Sequence, residues 1–117
     1  MDFSVEDADG YLMVRVQGEW TADEFGQVMR EAANIAQQRG FTRILGDARE
    51  LAAPKTEFAR FQAGQQAVKY FGFDFKVAVV YAEEFINKFA ENVAVNRGVN
   101  LRIYSSLDEA VSWLKQD

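Results

Sequence analysis

The chain has 117 residues, of which 49% are hydrophobic and 26% charged, and its net charge is −5. These values fit one soluble globular domain over residues 1–117, long enough to bury a core without staples. There is no cysteine and no histidine, which excludes disulfides, thiolate chemistry and the commonest general base and metal ligand, so no cofactor, zinc, haem or iron–sulfur site is expected.

Residues 3–6, FSVE, and 11–17, YLMVRVQ, read as two strands joined by the turn string DADG. Leu12, Val14 and Val16 share one strand face and are the better core candidates; Tyr11, Met13 and the Arg15 stem share the other. A helix follows, with Thr21 as N-cap and Glu24 three residues on to complete a capping box. Trp20 and Phe25 stand at the positions of a hydrophobic staple. Phe25, Val28, Met29, Ala32, Ile35 and Ala36 form the apolar stripe. Arg39 complements the helix dipole and Gly40 suits the residue just past the end.

Residues 41–47, FTRILGD, read as a strand running into a loop that carries the only proline, Pro54. Residues 56–71 read as a second helix ending at Gly72. FKVAVVYA, residues 75–82, is the most apolar run and suits a central strand buried on both faces. Residues 83–97 read as a third helix ended by Gly98, and VNLRIY as the last strand. Ser106 and Glu109 offer a second capping box for a short final helix with Leu107, Ala110, Val111 and Leu114 inward. The order β-β-α-β-α-β-α-β-α implies right-handed crossovers and a mainly parallel five-stranded sheet with four helices, an α/β protein whose first strand is antiparallel.

The acidic balance, with no basic run, points away from nucleic acid and from anionic membrane. No apolar run approaches the ~20 residues that span a bilayer. Met1 is followed by DFSVED rather than by a basic and then apolar signal segment. A cytoplasmic protein is the expectation.

Candidate chemistry is sparse. The loop after Asp47 lacks the glycines and the Gly-Lys-Ser/Thr of a phosphate loop. Asp47, Glu50 and Glu57 have no spacing that would gather them on a metal. The plain reading pairs Asp47 with loop amides or Arg49 and makes Thr56 a helix cap. The aspartate pair and late lysine of a receiver domain are missing. Glu83 and Glu84 are a carboxylate pair, read as facing the positive end of the third helix. The aromatic residues are more unusual. Phe58, Phe61, Ala63, Tyr70, Phe71, Phe85 and Phe89 give the second and third helices a wide apolar arc. That arc reads as core, or as a second surface for self-association or an apolar ligand.

Three stretches together carry a family likeness: GEWTADEFGQVM, FKVAVVYAEEFINKFAE and LRIYSSLDEAVSWL. With the order of elements, they make the chain resemble the SpoIIAA-like fold of STAS domains, and more closely the bacterial STAS/SEC14-like branch. The resemblance implies a SpoIIAA-like regulatory module. STAS switch modules carry an Asp-Ser-Ser-Gly-like string at the start of the second helix, where a kinase phosphorylates a serine. Here that place reads AAPKTEF, with Thr56 as the only nearby hydroxyl and no serine between Ser4 and Ser105. Asp47 and Thr56 therefore mark a vestigial switch loop. The expected function is non-catalytic, through a protein partner or a homodimer. The alternative is a carrier or sensor of an apolar small molecule or lipid in a groove near the second and third helices.

Overall fold

A computed structural model describes residues 1–86 and 89–116, with the backbone alone for residues 89 and 90. Its elements are β1 (Asp2–Asp7), β2 (Leu12–Gly18), α1 (Ala22–Gln38), β3 (Arg43–Leu51), α2 (Glu57–Phe71), β4 (Lys76–Val80), α3 (Phe89–Asn96), β5 (Asn100–Tyr104) and α4 (Leu107–Lys115). The strands form a single sheet in the order β1-β2-β3-β4-β5. β1 lies antiparallel to β2, and every later pair is parallel.

This order explains the layers. Each new parallel strand adds on the same side of the last, so three right-handed crossovers place α1, α2 and α3 on one sheet face. There they bury Leu12, Val14, Val16, Ile44, Ala48 and Val77. The last helix, α4, folds under the opposite face and buries Tyr11, Met13, Leu45, Ala78 and Val80 beneath Ala110, Trp113 and Leu114. Tyr11 and Met13 are thus core as fully as their β2 neighbours, because a helix covers both sides of the strand. Lys76 fixes the far end of α4: its Nζ donates to the carbonyls of Trp113 and Gln116, each at 2.6 Å, and lies 4.5 Å from the Trp113 ring centre.

Helix ends follow local chemistry. The Thr21 hydroxyl accepts from the Glu24 amide at 3.2 Å. The Glu24 carboxylate does not reach back; it meets the Met1 amino group at 2.5 Å, so the capping box is half made. The staple is formed, with the Trp20 and Phe25 ring centres 5.7 Å apart. α1 closes with the Gly40 amide on the Gln37 carbonyl and the Phe41 amide on the Ala36 carbonyl, with Gly40 at φ +78°. Arg39 turns away from the helix end to bond Asp7 at 2.7 Å.

Two boundaries differ from the sequence reading. β3 does not stop at Asp47. It runs on to Leu51 because Glu50 and Leu51 pair with Gln17 and Gly18 past a bulge that puts one extra residue in β3. The third helix is not continuous over 83–97. Glu83–Phe85 make a single 3-10 turn, Ile86 is extended at φ −81° and ψ 120°, and α3 is described over Phe89–Asn96. Glu83 and Glu84 are therefore exposed on a short turn rather than set against the N-terminus of a long helix. Among the described residues, no helix is long and apolar enough to cross a membrane.

Candidate functional site

Asp47 and Thr56 belong to different layers. Asp47 follows Leu45 in strand alternation, so it lies on the α4 side of the sheet. It is 7% exposed. Arg49, on the same face, donates to it from Nε at 2.8 Å and Nη2 at 2.7 Å, and its amide adds a third bond at 3.2 Å. Arg15 stands 3.9 Å away. The Arg49 side chain holds the Asp47 carboxyl below the usual carboxylate range, although burial pushes the other way. Thr56 opens α2 on the opposite side of the sheet, and its hydroxyl accepts from the Ala59 amide at 3.0 Å. The two residues share no bond. One holds an arginine, the other caps a helix.

The seven residues of the apolar arc separate into three groups. Ala63 and Phe71 are buried, and Phe71 packs edge-on against Phe75 at 6.2 Å. Tyr70, Phe61 and Phe85 are half-buried, with Phe85 5.7 Å from Tyr81 between ring centres. Phe58 is 66% exposed and stacks on Phe61 at 6.4 Å. The Phe89 side chain lies outside the described residues. A further aromatic, Phe73, is 85% exposed in the turn after α2. Arg97 stands 5.7 Å from the Phe61 ring centre. The next residue, Gly98, abuts Phe73 so closely that a Cβ there would fall 2.3 Å from the ring. Phe58, Phe61, Arg97 and Phe73 thus follow one another across the outer face of α2 and the end of α3. GFD after the second helix was the sequence signal for Phe73, since a turn leaves a large side chain nowhere to hide.

Behind this face, between the sheet and α1 and α2, is an apolar cavity of about 120 Å³. Small residues create it. Gly46 of β3 sits between Val14 of β2 and Val79 of β4. A Cβ on Gly46 would have its nearest neighbours at 3.9 Å, so the floor is open there. Ala63, Gly64 and Ala67 of α2 line the roof. Of the seven arc residues, Ala63 and Phe71 line this space. It therefore lies inward of the groove expected between the second and third helices. Tyr81 bonds the Ala52 carbonyl at 3.2 Å and closes one side. Burial pushes its phenol up, against the nearby charge of Arg60. Gly46 and Arg60 were not singled out in the sequence. A glycine inside the strand FTRILGD was the available sign, because such a residue often leaves room for something else.

Among the described residues, no three acidic side chains gather as metal ligands would. The SpoIIAA-like family model matches residues 11–115. No curated protein matches the chain. An anti-sigma factor antagonist from Mycobacterium paratuberculosis is similar in structure, with a TM-score of 0.66 at 16% identity over 98% of this chain and 94% of its own. A Shewanella loihica protein with a SpoIIAA-like fold reaches 0.60 at 22% identity, over 97% and 92%. The anti-sigma factor antagonist SpoIIAA in its unphosphorylated form reaches 0.56 at 12%, over 97% and 96%. At these identities the structural likeness is one of fold.

Proposed function

The chain belongs to the SpoIIAA-like family, and on that premise we propose that it is a non-catalytic binding and regulatory module of the cytoplasm that acts through protein–protein contact. The observation that carries this reading is the two exposed aromatics Phe58 and Phe73, with half-buried Phe61 stacked against Phe58. Large aromatics left in water are what a protein interface uses as anchors. Two structural neighbours are described as anti-sigma factor antagonists. The α2 start has a capped threonine in place of the switch serine, so contact here runs without that switch.

Cross-linking mass spectrometry in cells tests this. Cross-links to a partner, or to a second copy, concentrate on α2 and the end of α3. They vanish in a Phe58→Ser, Phe73→Ser pair that keeps its circular dichroism. Cross-links spread evenly over the surface and unchanged in the pair would sink the reading.

The cavity favours a second reading, that the domain holds a small apolar ligand between the sheet and α1 and α2. Its volume of about 120 Å³ is near that of an engineered cavity known to take up benzene, roughly 150 Å³. Native mass spectrometry of freshly purified protein would show the retained mass.

A further inference from the structure

α2 lies between α1 and α3 on one side of the sheet and packs against both. Gly26 of α1 approaches Gln66 so closely that a Cβ there would fall 2.9 Å from it, and Arg97 at the end of α3 stands by Phe61. Ala63, Gly64, Ala67 and Phe71 are buried toward the sheet. One side of the helix remains, opposite the buried set, and helical spacing gives it Phe58, Gln62, Gln65 and Lys69. The exposed residues of α2 are Glu57, Phe58, Gln65 and Lys69. An outward helix face normally carries charge along its length. This one has an acid in its first turn, a base in its last, and neutral amides between them. The order is close to symmetric about Gln65: Phe58 and Phe73 stand at nearly equal distances on either side of it, and so do Phe61 and Lys69.

We propose that the outer face of α2 docks on the same face of a second copy of this chain, the two helices antiparallel about a two-fold axis at Gln65. This rests on the protein-contact reading above and names the partner. The arrangement is isologous, so each contact away from the axis is made twice. Antiparallel docking brings the Glu57 end of one copy to the Lys69 end of the other, while Glu57 keeps its ion pair with Arg60; parallel docking would set like charges together. Phe58 of each copy comes to the turn that carries Phe73 of the other. Lys69 stands 5.3 Å from the Tyr70 ring centre and gains the Phe61 ring of the second copy. At the axis Gln65 meets itself. A side-chain amide is both donor and acceptor, so it bonds its own copy, which neither a carboxylate nor an ammonium could do. A strongly charged partner finds no complement on this stripe. The 15 residues of α2 give a contact roughly 22 Å long. One helix pair of that length is at the low end of specific interfaces, about 1,200 Å² or less, so the dimer dissociates on dilution through the micromolar range.

Sedimentation velocity of the whole chain over a concentration series tests this. The expected result is a monomer–dimer equilibrium. Gln65→Glu and Gln65→Lys each set like charges face to face and weaken the dimer roughly tenfold or more, while an equal mixture of the two variants restores it. Position 65 is exposed, and circular dichroism checks that both variants keep the fold. The chain has no cysteine, so introduced ones report without background. Under mild oxidation, Gln62→Cys mixed with Lys69→Cys forms the mixed disulfide ahead of either homodisulfide, as the antiparallel order requires. Homodisulfides first, a dimer that Gln65→Glu and Gln65→Lys leave unchanged, or a mixture no tighter than its components would each overturn the proposal. A wild type that stays monomeric at every concentration overturns it as well. Cross-links in cells from α2 to a different protein would then leave the protein-contact reading standing, and cross-links spread evenly over the surface would bring down both.

Discussion

Asp47 grips Arg49 across one pleat of β3, its two carboxylate oxygens 2.8 Å from Nε and 2.7 Å from Nη2. The pair is asymmetric, with the aspartate buried and the arginine nearly half exposed. Asp47→Asn should therefore cost about 2 kcal/mol at neutral pH, the scale of a charged hydrogen bond, rather than the larger penalty of a stranded buried charge, because Arg49 can swing into water. The folded carboxyl titrates below its ordinary value. Its contribution is thus fully present above the unfolded value, about 4, and is lost as pH falls through the folded one. Urea melts across the acid range should show wild type losing stability there faster than the variant. Equal midpoints at neutral pH would show that the grip adds nothing.

The half-made capping box gives a paired prediction. Thr21→Ala removes the acceptor for the Glu24 amide and should cost about 1 kcal/mol. Glu24→Gln leaves that bond intact and removes only the charge of an exposed ion pair with the Met1 amino group, which is worth little. Its effect on the denaturant midpoint should be a small fraction of the first. Equal losses would overturn the ranking of the cap above the glutamate.

Lys76 ties the start of β4 to the end of α4 through two carbonyls and the Trp113 ring. Lys76→Met keeps the stem and removes the charge. It should destabilise by about 2 kcal/mol and alter the near-ultraviolet signal of Trp113. An unchanged tryptophan signal would place the lysine away from that ring.

Much of this fold was legible because it is governed by short-range rules. Thr21, Thr56 and Ser106 each accept from the amide three residues on, as their place before an apolar-periodic run requires. The glycines at 40, 72 and 98 all have positive φ, and each ends a helix. What escaped was set by distant pairing. Nothing local says that Glu50 and Leu51 belong to a strand; their partners are thirty-odd residues earlier, in β2. Tyr11 and Met13 gained a core only because α4 returns beneath them. The break at Ile86 is invisible to periodicity, since FINKFAENVAV keeps an apolar pattern through it. The site was less legible still. Exposure of Phe58 and burial of Ala63, five residues apart on one helix, depend on which way α2 is rotated on the sheet. The cavity depends on three small α2 residues meeting Gly46, a coincidence of two elements that no window of sequence contains.

Thr56 carries the last prediction. Its hydroxyl is exposed at the mouth of α2 but already accepts the Ala59 amide at 3.0 Å. A serine in a switch string would be free to take a phosphate; this threonine is engaged in capping the start of a helix. Thr56→Ala should cost about 1 kcal/mol, while Thr56→Asp, an equally good cap, should be close to neutral. Neither should alter cross-linking at the Phe58 and Phe73 face, because Thr56 has no part in it. A phosphate at this place would meet the positive end of α2 and the guanidinium of Arg60, one turn on, so the site is electrostatically able to keep one if a kinase installed it. Intact-mass measurement after incubation with kinases of the parent organism decides the matter. The expected result is no mass gain. A stoichiometric gain of one phosphate, mapped to Thr56 and coupled to loss of the cross-links, would restore the switch and overturn the reading of this loop as a cap.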